Sequence, residues 1–412
     1  MTKIEQLIKE LCPNGVEYKK LGEVATISRG GSFQKKDFCE DGVPCIHYGQ
    51  IYTRYGLFAD KTLTFISEDA AKKQKYAVKN DIVMAVTSEN IDDVCKCVAW
   101  LGDDEIAVSG HTAIIHHTLN PKYLCYYFHT AMFYAQKKKL AHGTKVIEVT
   151  PDKLTDITIP VPPLEVQAEI VKILDNFTEL TAELTAELTA RKKQYEYYRD
   201  FLLDFGVHGG GASECEWRTI KEIFDIRNGY TPSKSNVEYW ENGIIPWFRM
   251  DDIRENGRIL SNSIQHIARK GVKKSGIFPA NSLIMSTTAT IGEHALIKTN
   301  FVCNQQITCF SLKQEYSSKI NIKFVFYLFF NFGEWCRNNV NNGGGLPIIN
   351  TAKLSTYKIP IPTIEKQKRI VSILDRFDKL CNDISEGLPA EIEARRKQYE
   401  YYRDKLLSFK EQ

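Results

Sequence analysis

The sequence predicts an internally duplicated fold: two domain-sized globular blocks, each followed by a long coiled-coil helix. The two helices are expected to lie antiparallel, with the halves related by a pseudo-twofold axis. Three observations predict this. First, Ala190 to Phe205, ARKKQYEYYRDFLLDF, recurs as Ala394 to Phe409, ARRKQYEYYRDKLLSF. Only three positions differ, Lys192/Arg396, Phe201/Lys405 and Asp204/Ser408. Second, Ile159 to Leu180, IPVPPLEVQAEIVKILDNFTEL, recurs as Ile359 to Leu380, IPIPTIEKQKRIVSILDRFDKL. Third, the apolar residues after each proline-rich segment fall mostly three, four or seven apart, the spacing of a coiled-coil seam.

The segments then follow in order. Residues 1–158 form the first block, 159–207 its helix, 208–215 a linker, 216–358 the second block and 359–412 the second helical region. A weaker match, Tyr18-Lys-Lys-Leu-Gly-Glu-Val against Trp217-Arg-Thr-Ile-Lys-Glu-Ile, opens the two blocks. Between the matches the blocks differ strongly, as two copies of one scaffold presenting two different surfaces would; a tandem duplication with no division of labour is the plainer alternative. Pro160, Pro162, Pro163, Pro360 and Pro362 predict extended lead-ins, with helix starting just after. Gly206-Val-His-Gly-Gly-Gly-Ala-Ser213 has the composition of a flexible joint.

The first helix carries Ile170, Leu174, Phe177, Leu184, Leu188, Tyr195, Tyr198, Leu202 and Phe205 on its stripe. About forty residues make a rod on the order of 60 Å long, which cannot bury its stripe alone. The second copy, with Ile370, Leu374, Phe377, Leu380, Ile384, Leu388, Ile392, Tyr399, Tyr402, Leu406 and Phe409, supplies a partner. Gly387-Leu388-Pro389 predicts a kink or short break there, with the helix restarting near Ala390. Thr178-Glu-Leu-Thr181-Ala-Glu-Leu-Thr185-Ala-Glu-Leu-Thr189-Ala is a repeat of slightly more than one helical turn. It reads either as a ruler between two heads or as a low-complexity helix.

Tyr195, Tyr197, Tyr198 and Arg191-Lys192-Lys193 recur as Tyr399, Tyr401, Tyr402 and Arg395-Arg396-Lys397. Duplicated aromatic and arginine residues suggest two equal docking sites for another protein. Arg191, Tyr195, Tyr197 and Arg199, with Arg395, Tyr399, Tyr401 and Arg403, are the candidates. The alternative is that the tyrosines cap a coiled coil within the chain.

Composition narrows the class. The chain has 412 residues, a net charge of +3, 43% hydrophobic and 25% charged residues, as a globular protein does. No apolar window is long enough to span a membrane, and the N-terminus lacks a signal-peptide core. A cytoplasmic protein with no membrane partner is expected. The 11 cysteines include no C-x-x-C pair, so reduced thiols are expected. Cys95 and Cys97 read as alternate residues of one strand, on one face. His111, His116 and His117 could approach one another on a strand pair, but lack acidic or thiol partners at ligand spacing. No metal site and no cofactor are expected.

The two conserved blocks resemble the specificity subunits of type I restriction-modification systems. In the second block Asn228-Gly-Tyr-Thr-Pro232, Tyr239-Trp240, Gly243-Ile-Ile-Pro246-Trp247 and Cys303-Asn-Gln-Gln306 are similar to a common target-recognition pattern. In the first, Ser88-Glu-Asn-Ile-Asp-Asp-Val94 is alike, whereas Arg29-Gly-Gly-Ser-Phe lacks the Thr-Pro step. The resemblance implies two α/β target-recognition domains, each reading one half of a bipartite asymmetric site in double-stranded DNA. The helices would set the half-site spacing and dock two methyltransferase subunits and, through them, restriction subunits.

Base readers should be polar residues on loops of the blocks. The candidates in the first block are Arg29, Ser32, Gln34, Lys35, Lys36, Tyr48, Ser88, Asn90 and Lys145. In the second they are Tyr230, Thr231, Ser233, Lys234, Arg249, Thr287, Thr290, Gln305 and Gln306. Asn341-Asn-Gly-Gly-Gly345-Leu-Pro would let a backbone loop approach DNA. No catalytic residues are predicted: the sequence has no nucleotide-binding glycine fingerprint and no Asn/Asp-Pro-Pro-Tyr/Phe tetrapeptide. Pro151-Asp152 with Glu165-Val-Gln167 departs from a nuclease motif at the glutamine. Catalysis is expected in partner subunits. The alternative reading is a protein-interaction scaffold that binds no DNA.

Overall fold

Asn120 shows how the sequence sets one element and ties it to the next. Its side-chain oxygen accepts from the N–H groups of Lys122 (3.0 Å) and Tyr123 (3.2 Å), and Pro121 follows at the first helical position. Helix Pro121–Tyr127 starts there for that reason. The backbone N–H of Asn120 in turn donates to Gln167 Oε1 (2.9 Å), and Gln167 Nε2 donates to Pro162 O (2.7 Å). A buried glutamine thus ties the start of a domain helix to the start of the long helix. Asn321, Gln367 and Pro362 repeat the arrangement at 2.8 Å for both bonds.

These contacts come from a computed structural model that describes residues 2–206, 215–274, 276–340, 347–383 and 385–411. The predicted linker, apart from Cys215, lies outside the described residues, as do Asn341–Leu346 of the glycine-rich loop and Ile384 of the second stripe. The chain divides into two compact units, Met1–Ala186 with Ala390–Gln412, and Glu187–Pro389.

In the first unit a five-stranded sheet runs in the order Ala25–Arg29, Thr112–His117, Ile82–Ala85, Cys97–Trp100, Phe58–Ala59. The last pair is parallel and the others are antiparallel. A second five-stranded sheet holds Phe38–Cys39, Thr64–Ile66, Val43–Ile46, Ile106–Val108 and Lys75–Ala77. In the second unit the order is Phe224–Asn228, Ile307–Leu312, Ser282–Ser286, His294–Ile297, Ile259–Leu260, again with only the last pair parallel. A three-stranded sheet of His266–Ile267, Ile245–Phe248 and Val302–Cys303 accompanies it. The blocks that differ most in sequence therefore share one topology, and mixed helix and strand is the fold class. The central strands, Ile82–Ala85 and Ser282–Ser286, are buried throughout, so the first and residues 283–285 of the second read as continuous apolar runs rather than alternating ones.

The extended lead-ins are as predicted. Thr158–Pro160 pairs with Tyr18–Lys20, and Lys358–Ile361 with Glu216–Thr219. Helices follow at Leu164–Leu203 and Ile364–Asn382. In the first unit Phe177 stacks on Tyr402 at 5.5 Å, while the Tyr18 hydroxyl meets Phe409 O at 3.0 Å beside Pro160, Tyr18's strand partner. The two helical segments of this unit are therefore antiparallel. The second unit repeats this: Tyr198 stacks on Phe377 at 5.6 Å, and Lys366 lies over the Phe205 ring at 5.5 Å.

Two further ties recur. Asp175 accepts from Lys122 Nζ and the Tyr126 hydroxyl, both at 2.7 Å. Asp375 accepts from Lys323 Nζ at 2.7 Å and the Tyr327 hydroxyl at 2.6 Å. The Thr-Ala-Glu-Leu stretch has no buried residue, and its threonines bond back along their own helix, as Thr181 does to Phe177 O (2.8 Å) and Thr185 to Thr181 O (2.8 Å).

Three expectations are corrected. The second helix breaks at Asp383, before the predicted point, and resumes at Leu388 rather than Ala390. The Asp383 carboxylate accepts from the N–H groups of Ser385 (2.8 Å) and Glu386 (3.1 Å), a turn that competes with the helix. Pro389 then sits in the first turn, where its missing N–H costs nothing. Cys95 is not on a strand; it occupies a turn at φ 67°, and only Cys97 begins the strand Cys97–Trp100. His116 and His117 sit on one strand with opposite exposure, so they face apart: His116 bonds Asp81 at 2.7 Å, while His117 is buried. All 11 cysteines are free, and among the described residues no helix is long and apolar enough to cross a membrane.

Candidate nucleic-acid interface

At one end of the first unit's main sheet, strand Ala25–Arg29 gives way to Gly30-Gly31. Gly30 N donates to Thr112 O (3.0 Å) and Gly31 N to Val108 O (2.6 Å). A Cβ on Gly30 would stand 2.2 Å from Ser109 O, so only glycine allows this approach. The Arg29 guanidinium pairs with Glu148 and donates to Gly110 O at 3.4 Å. Glu148 belongs to Ile147–Glu148, which pairs with Thr87–Ser88. His111 Nδ1 lies 3.1 Å from Thr87 Oγ1, and its ring is 4.8 Å from Tyr48. The Tyr52 hydroxyl donates to Thr87 O at 2.6 Å. Arg29, Tyr48 and Ser88 thus gather at this end, beside the exposed loop that carries Lys145.

The other candidates of this block lie nearby in sequence with different tasks. Ser32 N donates to Gln74 Oε1 (2.8 Å), and Gln34 N to the Asp37 carboxylate (2.8 Å), which closes the turn carrying exposed Lys35 and Lys36. Asn90 is engaged with Asp93 through both ends of its amide, at 2.8 Å each. His47, which caps helix Tyr48–Thr53, has its pKa pushed down to about 4, by burial first and then by Lys35 and His111.

The second unit builds the same end from different residues. Gly229 N donates to Ile307 O (2.9 Å) and Tyr230 N to Cys303 O (2.7 Å), the Gly30 and Gly31 bonds over again. A Cβ on Gly229 would stand 2.2 Å from Cys303 O. Thr287 N to Gln306 O (3.0 Å) matches Val86 N to His111 O (2.9 Å). Asn304 N to Phe248 O matches Ser109 N to Ile46 O, both 3.1 Å. By these bonds Asn228 stands where Arg29 stands, Thr231 at Ser32, Arg249 at His47, Gln305 at Gly110 and Gln306 at His111.

Thr231 donates to Gln305 Oε1, and Thr308 Oγ1 donates to Asn228 Oδ1 at 2.8 Å. Thr287 is buried and donates to Gln306 O at 3.2 Å, while Thr290 Oγ1 reaches Ser286 Oγ at 3.5 Å. Ser233 and Lys234 are exposed on the adjoining loop. Arg249 lies over Trp247 at 5.6 Å and pairs with Asp251 at 3.4 Å. Tyr230 is placed differently: it is buried, its hydroxyl accepts from Lys273 N at 2.8 Å, and its carbonyl accepts from Trp247 Nε1 at 3.0 Å. It holds the loop. Asn228, His111 and Glu148 belong to the clusters but were not singled out as DNA contacts in the sequence; the Asn-Gly step before Tyr230 was the available signal for the first.

The repeated helical segment divides by exposure. Tyr197 and Tyr401 are 64% and 61% exposed. Arg191 pairs with Glu187 at 3.4 Å, and Arg395 with Glu391 at 3.5 Å. Tyr195 is instead 7% exposed and packs on Phe377 at 6.5 Å; Tyr399 packs on Tyr126 at 6.3 Å. Arg199 lies over Phe330 at 4.5 Å and Arg403 over Tyr399 at 5.6 Å, so these two arginines turn inward.

Among the described residues no three His, Cys, Asp or Glu side chains gather to hold a metal. What the ends of the sheets offer is a set of amide, hydroxyl, imidazole and guanidinium groups on a rigid frame. Fold and sites together define an internally duplicated protein, with like scaffolds that carry unlike polar surfaces.

Comparison with known proteins gives the family. Residues 13–191 and 212–394 each match the type I restriction modification DNA specificity domain, and the chain belongs to that family. It is 48% identical over 205 residues to the Escherichia coli type I restriction enzyme EcoprrI specificity subunit, covering 48% of this chain and 51% of that one. It is 42% identical over 266 residues to the Escherichia coli EcoR124I/EcoR124II specificity subunit, covering 61% and 63%. The chain thus spans about half to under two-thirds of the length of these two relatives. A solved structure described as the basis of complex assembly and conformational transition of the type I R-M system shares the fold, with TM-score 0.67, 17% identity and coverage of 96% and 98%. The S subunit structure from M. genitalium aligns with TM-score 0.53, 13% identity and coverage of 96% and 97%.

Proposed function

We propose that this chain is the DNA-recognition subunit of a type I restriction-modification complex, with each globular block reading one half of a bipartite, asymmetric site. The observation that carries this is the pair of topologically equal sheet ends with different chemistry: Arg29, Ser32 and His111 in one, Asn228, Thr231, Gln305 and Gln306 in the other. Arginine bonds guanine edges in the major groove and glutamine or asparagine bonds adenine, so unlike sets read unlike sequences. Lys35, Lys36, Lys145, Ser233 and Lys234 serve the phosphates, which fix register without reading bases. Gly30 and Gly229 keep the reading loops pressed against the sheet. Tyr230 and Thr287 support the loops from within.

The helices dock two methyltransferase subunits through Tyr197, Tyr401, Arg191 and Arg395, and restriction subunits join through these. Catalysis belongs to those partners. The Thr-Ala-Glu-Leu repeat sets the distance between half-sites, each unit adding about 6 Å along the helix.

Methylome sequencing of cells that carry the chain with its methyltransferase subunit tests the reading. The expected result is a bipartite methylated motif. Replacing residues 17–158 with another variable block should change one half-site only, and deleting Thr185–Leu188 should change the gap only. Methylation unmoved by the replacement would overturn the reading and favour a scaffold without DNA contact.

A further inference from the structure

The docking reading above treats the two helical faces as equal. Resting on that reading, we infer that they are unequal: the face with Phe201 holds its methyltransferase by apolar contact, and the face with Lys405 holds its copy by charge.

The two faces are built alike up to one point. Tyr197 meets Tyr198 at 5.4 Å and 75°, and Tyr401 meets Tyr402 at 5.3 Å and 75°. One helical turn on, the copies part. Phe201 is 40% exposed and lies parallel to the Tyr197 ring, at 6.1 Å and 4°. Its counterpart Lys405 places its ammonium 5.7 Å from the centre of the Tyr401 ring. Asp204 is likewise replaced by Ser408. Lysine for phenylalanine adds one positive charge and serine for aspartate removes one negative charge, so the Lys405 face is two charges more positive.

The same kind of partner must present the same surface to both faces. Covering the Tyr197–Phe201 pair removes apolar area from water, a gain that rising salt does not weaken. Covering Lys405 instead takes an ammonium partly out of water. That is favourable only through attraction to opposite charge, and salt screens such attraction. Glu5, on helix Lys3–Leu11 of the same chain, is within electrostatic reach of Lys405 and offsets part of its charge, leaving the face still the more positive of the two. The substituted side chains are exposed, while the tyrosines at 195 and 399 and the arginines at 199 and 403 recur in both copies. Two copies of one partner therefore leave in order as salt rises, the copy on the Lys405 face first.

Native mass spectrometry of the full chain, produced together with its methyltransferase subunit and titrated with potassium chloride, tests this. The expected result is two copies bound at low salt, with one released at a concentration at least about two-fold below the other. F201K should bring both releases down to the lower salt, and K405F should bring both up to the higher. Simultaneous release from the unaltered chain, or the same stepwise order in both variants, overturns the inequality and leaves docking intact. A chain that binds no methyltransferase at any salt overturns the docking reading together with it.

Discussion

The two globular blocks diverge in sequence while the main sheets beneath them keep one strand order, one pattern of parallel and antiparallel pairs and one pair of glycine-dependent turns. The smaller sheet shrinks from five strands to three, and the residues at the ends of the main sheets change. At one level of the fold Arg29 faces Glu148 and His111 meets Tyr48; at the same level Asn228 meets Thr308, and Thr231 meets Gln305. The lesson is a division of labour: buried strands and backbone bonds hold position, and the positions so held are free to change chemistry. The helical segments teach the converse, since there the sequence repeats and the Phe177–Tyr402 and Tyr198–Phe377 stacks repeat with it.

The strongest way to break the comparison is at the glutamines. Gln167→Leu and Gln367→Leu each strand a buried N–H and a buried carbonyl, costing about 3 kcal/mol. Gln367 makes one more bond, to Lys319 O at 2.9 Å, so its loss should be larger by about 1 kcal/mol. Urea unfolding of the full chain measures both; equal losses would mean the extra bond contributes nothing.

Acid should weaken both units next, since burial also holds the His294 pKa down, to about 3, in the second. Burial pushes the His117 pKa down to about 4, against an opposing pull from Asp81. The unfolded chain takes up a proton near the ordinary 6.5 while the folded one does not, so the first unit loses stability as pH falls from about 6.5 towards 4, by up to about 3 kcal/mol. His117→Phe should flatten that pH dependence in thermal melts. A dependence that stays as steep would assign it to other groups, such as His47.

Gly30→Ala and Gly229→Ala should each cost about 2 kcal/mol of stability and blunt one half-site only, the first and second respectively. Footprinting of each half-site shows whether the effects stay apart. The smallest effects sharpen the assignment of contacts. Gln306→Ala should weaken discrimination at one base by about 1–2 kcal/mol. Lys145→Ala should weaken binding evenly and lower the salt slope by about one. A base-specific effect at Lys145 would move it from phosphate contact to reading.

Much of this was legible in the sequence, and the reason is duplication. A repeated segment marks its own constraints, and the prolines at 160, 162, 360 and 362 with the apolar seam after them fixed where strand stops and helix starts. The break at Asp383 was misplaced because proline is a louder signal than an aspartate whose carboxylate captures two backbone N–H groups. Gln167, Asp175 and their copies repeat in the sequence too, yet their task was hidden. Their partners, Asn120 with Tyr126 and Asn321 with Tyr327, lie far away along the chain.

The sequence by itself determined that this protein has two halves, that a helix follows each proline-rich lead-in, and which exposed aromatic residues recur. Only the tertiary structure decided that Gln306 stands where His111 stands, that Tyr230 turns inward, and that Arg29 meets Glu148. Local pattern records burial and backbone preference over neighbouring residues. Equivalence between unlike residues is set by hydrogen bonds between strands distant in the chain, and no local pattern carries those.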